Sequence, residues 1–365
     1  EILLRSGVSN RAYAAFAPVF SKVPGGLLHT NIAVCTIFGA VSGSSLSTAA
    51  AVGSVAYPEM TRRGYDRDVI VGSLAGGGTL GLLIPPSLSF LIFGALTETS
   101  IGRLFIAGIL PGLMIGAAFM VYIVIKTLRH PHVAPREDVH MPFLAILRGM
   151  GQVWPLLLLI LAVIGSIIGG LATPTEAAAV AAFYALLISA VFYRSVTFRE
   201  FYQALLGSAR STASVGVLVA GAITFNYVIT REQLPVSISD WLAQYEFTRW
   251  QFLIVVNILF LALGMVLEGG AILLIIVPIL IPSVQAMGID LIHFGVIVVV
   301  NAMLGLITPP YGLLLFITAN ITDEPITRII KDVWPFILAL MAALLVITFV
   351  PDFVLFLPRM LGYQG

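Results

Sequence analysis

The chain has 365 residues, of which 59% are hydrophobic and only 10% charged, with a formal net charge of +1. A soluble domain carries roughly 25% charged residues, and a mean hydropathy of +1.03 places the bulk of this chain in lipid. The near-neutral balance excludes a polyanionic partner such as nucleic acid, and the single Cys35 excludes a disulfide framework or a cysteine-based metal site.

In chain order, the sequence predicts an amphipathic connector at about 8–22, then an apolar stretch at about 27–58. That stretch is too long for one span and has Ser42-Gly43-Ser44-Ser45 at its middle, the form of a re-entrant hairpin with a non-helical tip. A segment at about 69–97 is long enough to cross a bilayer but is interrupted by Gly81-Leu82-Leu83-Ile84-Pro85-Pro86. Proline lacks the N–H and its ring clashes with the preceding turn, so this is a split helix. A short connector at 100–105 leads to spans at about 108–128, 150–170, 174–193 and 205–229, with a polar loop at 129–141 after the first. That loop carries His130, His132 and His140 and reads as a cytoplasmic connector rather than a metal site. A second amphipathic connector (234–247, with Trp241 and Tyr245) precedes a second hairpin at about 250–283, whose tip is Glu268-Gly269-Gly270. A second split helix at about 293–321 carries Gly305-Leu306-Ile307-Thr308-Pro309-Pro310, followed by a connector at 325–331 and a last span at about 333–350.

The two Gly-Leu-x-x-Pro-Pro signatures lie 224 residues apart, and Pro58/Pro282, Gly64/Gly288, Asp66/Asp290 and Pro111/Pro335 keep that offset. The chain is therefore an internal duplication, divided as 1–128 (first repeat), 129–204 (loop and connecting spans) and 205–365 (second repeat). Five crossings separate the two hairpins, and five is odd, so the second enters from the opposite face and the repeat is inverted. This topology puts 15 of the 19 basic residues on one side, including Arg136 and Arg148, and leaves Arg103, Arg231, Arg249 and Arg359 on the other. The basic side is cytoplasmic by the positive-inside rule. The chain begins at Glu1 rather than Met, and its first residues read like the tail of an earlier helix, so a preceding span is expected.

Paired broken helices are the sequence-level pointer to a transporter's binding site. Freed carbonyls can coordinate a hard cation such as sodium, and half-helix N-termini favour an anionic group. The candidate sodium-binding walls are Ser42, Gly43, Ser44, Ser45, Gly81, Ile84 and Pro86 in the first half. In the second half they are Glu268, Gly269, Gly270, Gly305, Thr308 and Pro310; Ser47, Thr48, Ser87 and Asn301 are candidates for the substrate. Glu268 reads either as an intramembrane carboxylate with a function or as a helix cap or interfacial residue, and Asn301 either as a substrate contact or as a partner for freed backbone. Thr173-Pro174-Thr175-Glu176 has the form of a helix N-terminus. Gly76-x-Gly78-x-x-Gly81 matches a dinucleotide fingerprint formally but lacks any βαβ context. Gly108-x-x-x-Gly112-x-x-x-Gly116 suits close helix packing. No HExxH, Walker A or GxSxG motif is present, so an enzyme is not expected.

The run from Ser42-Gly43-Ser44-Ser45 through Ala49-Ala50-Ala51-Val52-Gly53-Ser54, Arg62-Arg63-Gly64-Tyr65-Asp66 and Pro85-Pro86-Ser87 resembles the large membrane (DctM-like, M) subunit of tripartite ATP-independent periplasmic (TRAP) transporters. Ala107-Gly108-Ile109-Leu110-Pro111-Gly112, Thr173-Pro174-Thr175-Glu176-Ala177-Ala178 and Thr308-Pro309-Pro310-x-Gly312 extend that resemblance over essentially the whole chain. One departure is Thr48, where the family commonly has an aspartate. The resemblance implies an all-α polytopic protein of the elevator type in the ion-transporter superfamily, in the bacterial inner membrane. It implies sodium-coupled import of an organic acid (C4-dicarboxylate, sugar acid or keto acid) with no cofactor beyond sodium as coupling ion. Its implied partners are a periplasmic substrate-binding protein and a small four-helix Q-type membrane subunit. The competing reading is a carboxylate/ion antiporter of the same superfamily that needs no binding protein.

Overall fold

The computed structural model describes residues 1–135, 149, 151 and 153–364. Residues 136–141 of the 129–141 loop, with Arg136 and His140, together with Arg148 and positions 150 and 152 of the span predicted at 150–170, lie outside the described residues. All regular structure among the described residues is helical. The helices are α1 (Ile2–Arg5), α2 (Val8–Phe20), α3 (Gly26–Ser42), α4 (Ser45–Arg62), α5 (Arg67–Thr79), α6 (Leu88–Thr97), α7 (Ile101–Arg129) and α8 (Trp154–Ile168). They continue as α9 (Pro174–Leu187, extended by a π-helical turn to Phe192), α10 (Phe198–Arg231), α11 (Leu234–Gln244), α12 (Arg249–Gly264) and α13 (Gly269–Ala286). The last four are α14 (Leu291–Ile307), α15 (Leu313–Thr322), α16 (Ile326–Phe349) and α17 (Pro351–Met360).

Each predicted hairpin is a pair of helices, α3/α4 and α12/α13, and each split helix is a pair, α5/α6 and α14/α15, broken at the Pro-Pro signature. Local chemistry sets these boundaries. Gly43 closes α3 in the left-handed conformation (φ +60°), its N–H donating to the Gly39 carbonyl, and Ser44 caps α4 by accepting from the Ser47 amide. Glycine at the stop and serine at the next start give a reversal with almost no loop. The repeat-related aspartates do the same work twice: Asp66 accepts from the Asp68 amide at the start of α5, and Asp290 from the Ile292 and His293 amides at the start of α14. Thr173 and Glu176 form the expected reciprocal cap on α9.

Two boundaries differ from those the sequence predicts. The connectors at 100–105 and 325–331 are not separate elements; they are the first turns of α7 and α16, whose internal Pro111 and Pro335 leave them continuous. The amphipathic first turns simply keep the helical register of the apolar run behind them. The chain also ends in a helix the apolar windows passed over, α17, which packs on α7.

The split helices run antiparallel through the centre. Arg67 at the start of the first pairs with Glu324 at the end of the second (3.0 Å). Leu314 lies 3.3 Å from where a Cβ on Gly78 would stand, and Phe93 packs against Phe294 at the opposite end. Every residue from Ile292 to Ile307 is buried, so α14 is the axis of the molecule. By contrast, α10 buries only Ala204, Ala222 and Ile229 and turns residues such as Val217 and Ile223 outward. Among the described residues, five helices are long and apolar enough to cross a membrane: those beginning at Ile101, Pro174, Phe198, Gly269 and Ile326. Four coincide with predicted spans; the fifth, Gly269–Ala286, is the second arm of the second hairpin.

Candidate functional site

The first break, residues 83–87, sits directly beneath the first hairpin tip. A Cβ on Gly81 would lie 2.7 Å from Thr48 Oγ1 and 2.8 Å from the Ser44 carbonyl, and one on Gly39 would lie 2.8 Å from Gly81 Cα. Only glycine lets the two backbones approach this closely. Thr48 Oγ1 donates to the Ser44 carbonyl (2.8 Å) and shares a hydrogen bond with Ser42 Oγ (2.7 Å). Ser45 Oγ, buried, donates to the Thr79 carbonyl (2.9 Å) and ties the hairpin to α5. Ser87, buried, donates from Oγ to the Leu82 carbonyl across the break. The Pro86 carbonyl lies 3.1 Å from where a Cβ on Gly43 would stand. Ser42, Gly43, Ser44, Thr48, Gly81, Pro86 and Ser87 thus form one cluster. Ile84 points away, against Gly112 of α7, and Ser47 stays half-buried with only its amide engaged.

The second break, residues 308–312, repeats the geometry with different chemistry. A Cβ on Gly305 would lie 2.5 Å from the carbonyl carbon and oxygen of Gly264 at the end of α12. Thr308 is buried, its Oγ1 donating to the Leu304 carbonyl (2.6 Å). Both Pro-Pro bonds, Pro85-Pro86 and Pro309-Pro310, are cis. Gly269 packs on Ala302, whereas Gly270 faces open space. Glu268 takes the N-cap position of α13 but its side chain makes no capping bond and is exposed. The contact with the break therefore runs through Gly264, ahead of the predicted tip.

Asn301 is fully buried one turn before the second break; its Nδ2 donates to Asn257 Oδ1 on the hairpin (2.7 Å) and to the Ile297 carbonyl (2.9 Å). Asn257 in turn donates to Thr348 Oγ1 on α16 (3.0 Å). Asn301 Oδ1 meets no donor among the described residues, which leaves a buried acceptor at the site. The first half has its own latch, Asn31 on α3 donating to the Ser73 carbonyl on α5 (2.9 Å). Asn31, Ser73, Asn257 and Thr348 are not among the residues the sequence motifs single out. Their signal is nonetheless present, as polar residues within largely apolar helices.

The first tip and break also wall a cavity of 330 Å³ in which Ser42, Gly43 and Pro86 face Leu159 and Val163 of α8 and Pro174 and Ala178 of α9. Among the described residues no lysine, arginine or histidine lines it. The groups placed at the first break are hydroxyls and carbonyls, and those at the second are the Thr308 hydroxyl and the Gly264 carbonyl. Hard, uncharged oxygens suit a small hard cation, and helix N-termini suit an anion. Among the described residues no three of His, Cys, Asp or Glu gather as a metal-binding group; His130 and His132 only stack on each other.

A family model described as "Tripartite ATP-independent periplasmic transporter, DctM component" matches residues 1–353. The chain is 41% identical over 358 residues to a protein of Pseudomonas aeruginosa named C4-dicarboxylate TRAP transporter large permease protein DctM, covering 98% of this chain and 83% of that one. It is 35% identical to the isethionate TRAP transporter permease protein DctMQ of Oleidesulfovibrio alaskensis, covering 96% of this chain and 55% of that one. Among solved structures it is similar to the Alcanivorax borkumensis YdaH transporter, with a TM-score of 0.54, 16% identity, and 99% and 84% of the two chains covered. At that identity the last likeness is one of fold.

Proposed function

This chain belongs to the DctM component family of tripartite ATP-independent periplasmic transporters, and on that premise we propose that it is the large membrane subunit of a sodium-coupled importer of an organic acid. It is a multi-pass membrane transporter, not an enzyme. The reading puts it in the bacterial inner membrane with a periplasmic binding protein delivering substrate and a small membrane subunit bracing its outward-facing helices. The two repeats are inverted, and the hairpins and split helices move together as an elevator.

One observation carries the reading: each helix break is held against a hairpin by glycine-to-glycine approach, and among the described residues the cavity at the first break is lined by neutral groups with no basic side chain. A carboxylate placed there needs a positive charge that the walls do not supply, and a bound sodium ion supplies it. The antiparallel path of the split helices, traced by Arg67–Glu324 at one end and Phe93–Phe294 at the other, supports the inversion. The elevator reading is supported by the contrast between the tightly latched centre and the loosely buried α10. The relatives named above are named for two different acids, a C4-dicarboxylate and isethionate, so the substrate class proposed is the organic acid anion.

The test is uptake by proteoliposomes containing this chain and its small subunit, with a ligand-loaded binding protein outside. Uptake is expected only with inward-directed sodium and only with the binding protein. Uptake that ignores sodium would overturn the coupling, and uptake without any binding protein would favour the antiporter reading.

A further inference from the structure

A cavity of 310 Å³ lies between the amphipathic α11, the start of α12 and the last turns of α13. Its wall is apolar at Leu242, Phe247 and Met287 and polar at Glu246, Arg249 and Ser283. Ser283 is buried, and its Oγ meets no partner among the described residues. Glu246 and Arg249 are exposed and join none of the ion pairs among the described residues. Arg249 instead lies over the Trp250 ring, 4.3 Å from its centroid.

Local physics disfavours both charges where they stand. Glu246 follows α11 in the left-handed conformation (φ +51°), its amide donating to the Ala243 carbonyl and that of Phe247 to the Leu242 carbonyl. That is the closing turn in which glycine is usual, and it sets a carboxylate at the negative end of the helix dipole. Arg249 is the first residue of α12, a cation at the positive end of that helix's dipole. The repeated fold does not ask for either charge: at the 224-residue offset Glu246 and Arg249 correspond to Lys22 and Gly25. Two reversed charges beside an unused hydroxyl call for a partner from outside the chain.

We propose that this corner binds the headgroup of a phosphatidylethanolamine, with the phosphate on Arg249 and the ammonium on Glu246. The two charges of the zwitterion match the two side chains. Each also meets the helix end that favours it, phosphate at the start of α12 and ammonium at the end of α11. A primary ammonium has three N–H donors for a carboxylate to accept, and a quaternary choline has none. The Ser283 hydroxyl, without a partner in the chain, can donate to a headgroup oxygen once its side chain turns toward the cavity. The position suits a lipid as well. Helix α11 turns Val236, Trp241 and Tyr245 outward, and an amphipathic helix with outward aromatics lies at headgroup depth. The site requires only that the chain lies in a membrane, and it stands whether or not transport is sodium-coupled.

The test is native mass spectrometry of the detergent-solubilised protein mixed with equal amounts of phosphatidylethanolamine, phosphatidylcholine and phosphatidylglycerol of the same acyl chains. The wild type is expected to retain phosphatidylethanolamine in preference to the other two. Glu246→Gln is expected to remove the preference over phosphatidylcholine, an effect on headgroup choice that a merely structural glutamate would not give. Arg249→Gln is expected to lower retention of phosphatidylethanolamine by about fivefold. Ala286→Trp, which fills the cavity and leaves both charges in place, is expected to lower it as well. Equal retention of phosphatidylethanolamine and phosphatidylcholine by the wild type, or an unchanged preference in Glu246→Gln, would overturn the proposal. Displacement of the lipid by free phosphoethanolamine would also overturn it, since the site would then recognise a soluble headgroup.

Discussion

The two halves of this molecule follow one path and solve one problem with different atoms. In the first, the hairpin brings most of the hydroxyls, Ser42, Ser44, Ser45 and Thr48, and the break adds Ser87 and an isoleucine that packs elsewhere. In the second, the break and the helix before it bring Thr308 and Asn301, and the hairpin meets the break through Gly264. The two breaks thus share geometry but not chemistry, and on the proposed function they are expected to differ in how ion binding couples to hairpin position.

The sharpest way to break the comparison is through the glycines. Gly305→Ala drives a methyl into the Gly264 backbone at 2.5 Å, whereas Gly81→Ala meets a threonine hydroxyl at 2.7 Å and one carbonyl at 2.8 Å. Overpacking costs about 1–3 kcal/mol, and the second-half variant should sit at the top of that range and lie measurably below Gly81→Ala in thermal melting. Equal melting temperatures would deny that the second approach is the tighter one.

Next comes the polar latch. Asn301→Leu leaves Asn257 Oδ1 without its donor in a buried setting, which costs about 1–3 kcal/mol, and it also removes the unpartnered Oδ1. Asn31→Leu should destabilise to a similar extent but leave the sodium requirement alone, because its oxygen does not face a break. A sodium shift in Asn31→Leu and none in Asn301→Leu would reverse the assignment.

The smallest effect expected is acid sensitivity confined to the first half. Burial pushes the Glu59 carboxyl up, but hydrogen bonds from Arg63 and Arg62 outweigh it and hold the group below its usual range. A lowered folded-state value means the stabilisation is present above the ordinary carboxylate value of about 4.3 and fades as pH falls below it. For a partly exposed group this is worth under about 1 kcal/mol. On acidification from neutral to below the ordinary carboxylate range, the wild type should lose slightly more melting temperature than Glu59→Gln. Identical acid slopes would remove the charge network from the account; Ser283 gives the second half no such term.

Much of this architecture is legible in the amino-acid sequence. Proline chemistry at 85–86 and 309–310 fixes the breaks, the 224-residue offset pairs one helix–break–helix segment with the other, and the apolar runs give four of the long spans. Gly43 is legible as a tip residue because a left-handed turn followed by a serine cap has a sequence form. What is not legible depends on distance in sequence. Nothing local says that Gly264 meets Gly305, that Asn257 joins Asn301 to Thr348, or that Tyr57 reaches the Thr322 carbonyl. The exposure of Glu268 is not legible for a related reason: an apolar neighbourhood in sequence does not imply burial, and the side chain is at the surface. The helix α17 is short and mixed in composition, so an apolar-run criterion passes over it.

The central claim, that the breaks bind the coupling ion and the second does so through Thr308, is tested most directly by the sodium concentration giving half-maximal uptake. Thr308→Val keeps the shape, removes one oxygen, and should raise that concentration roughly tenfold for a lost contact of about 1.4 kcal/mol. Folding and binding-protein dependence should remain intact. A sodium requirement unchanged in Thr308→Val would contradict the account.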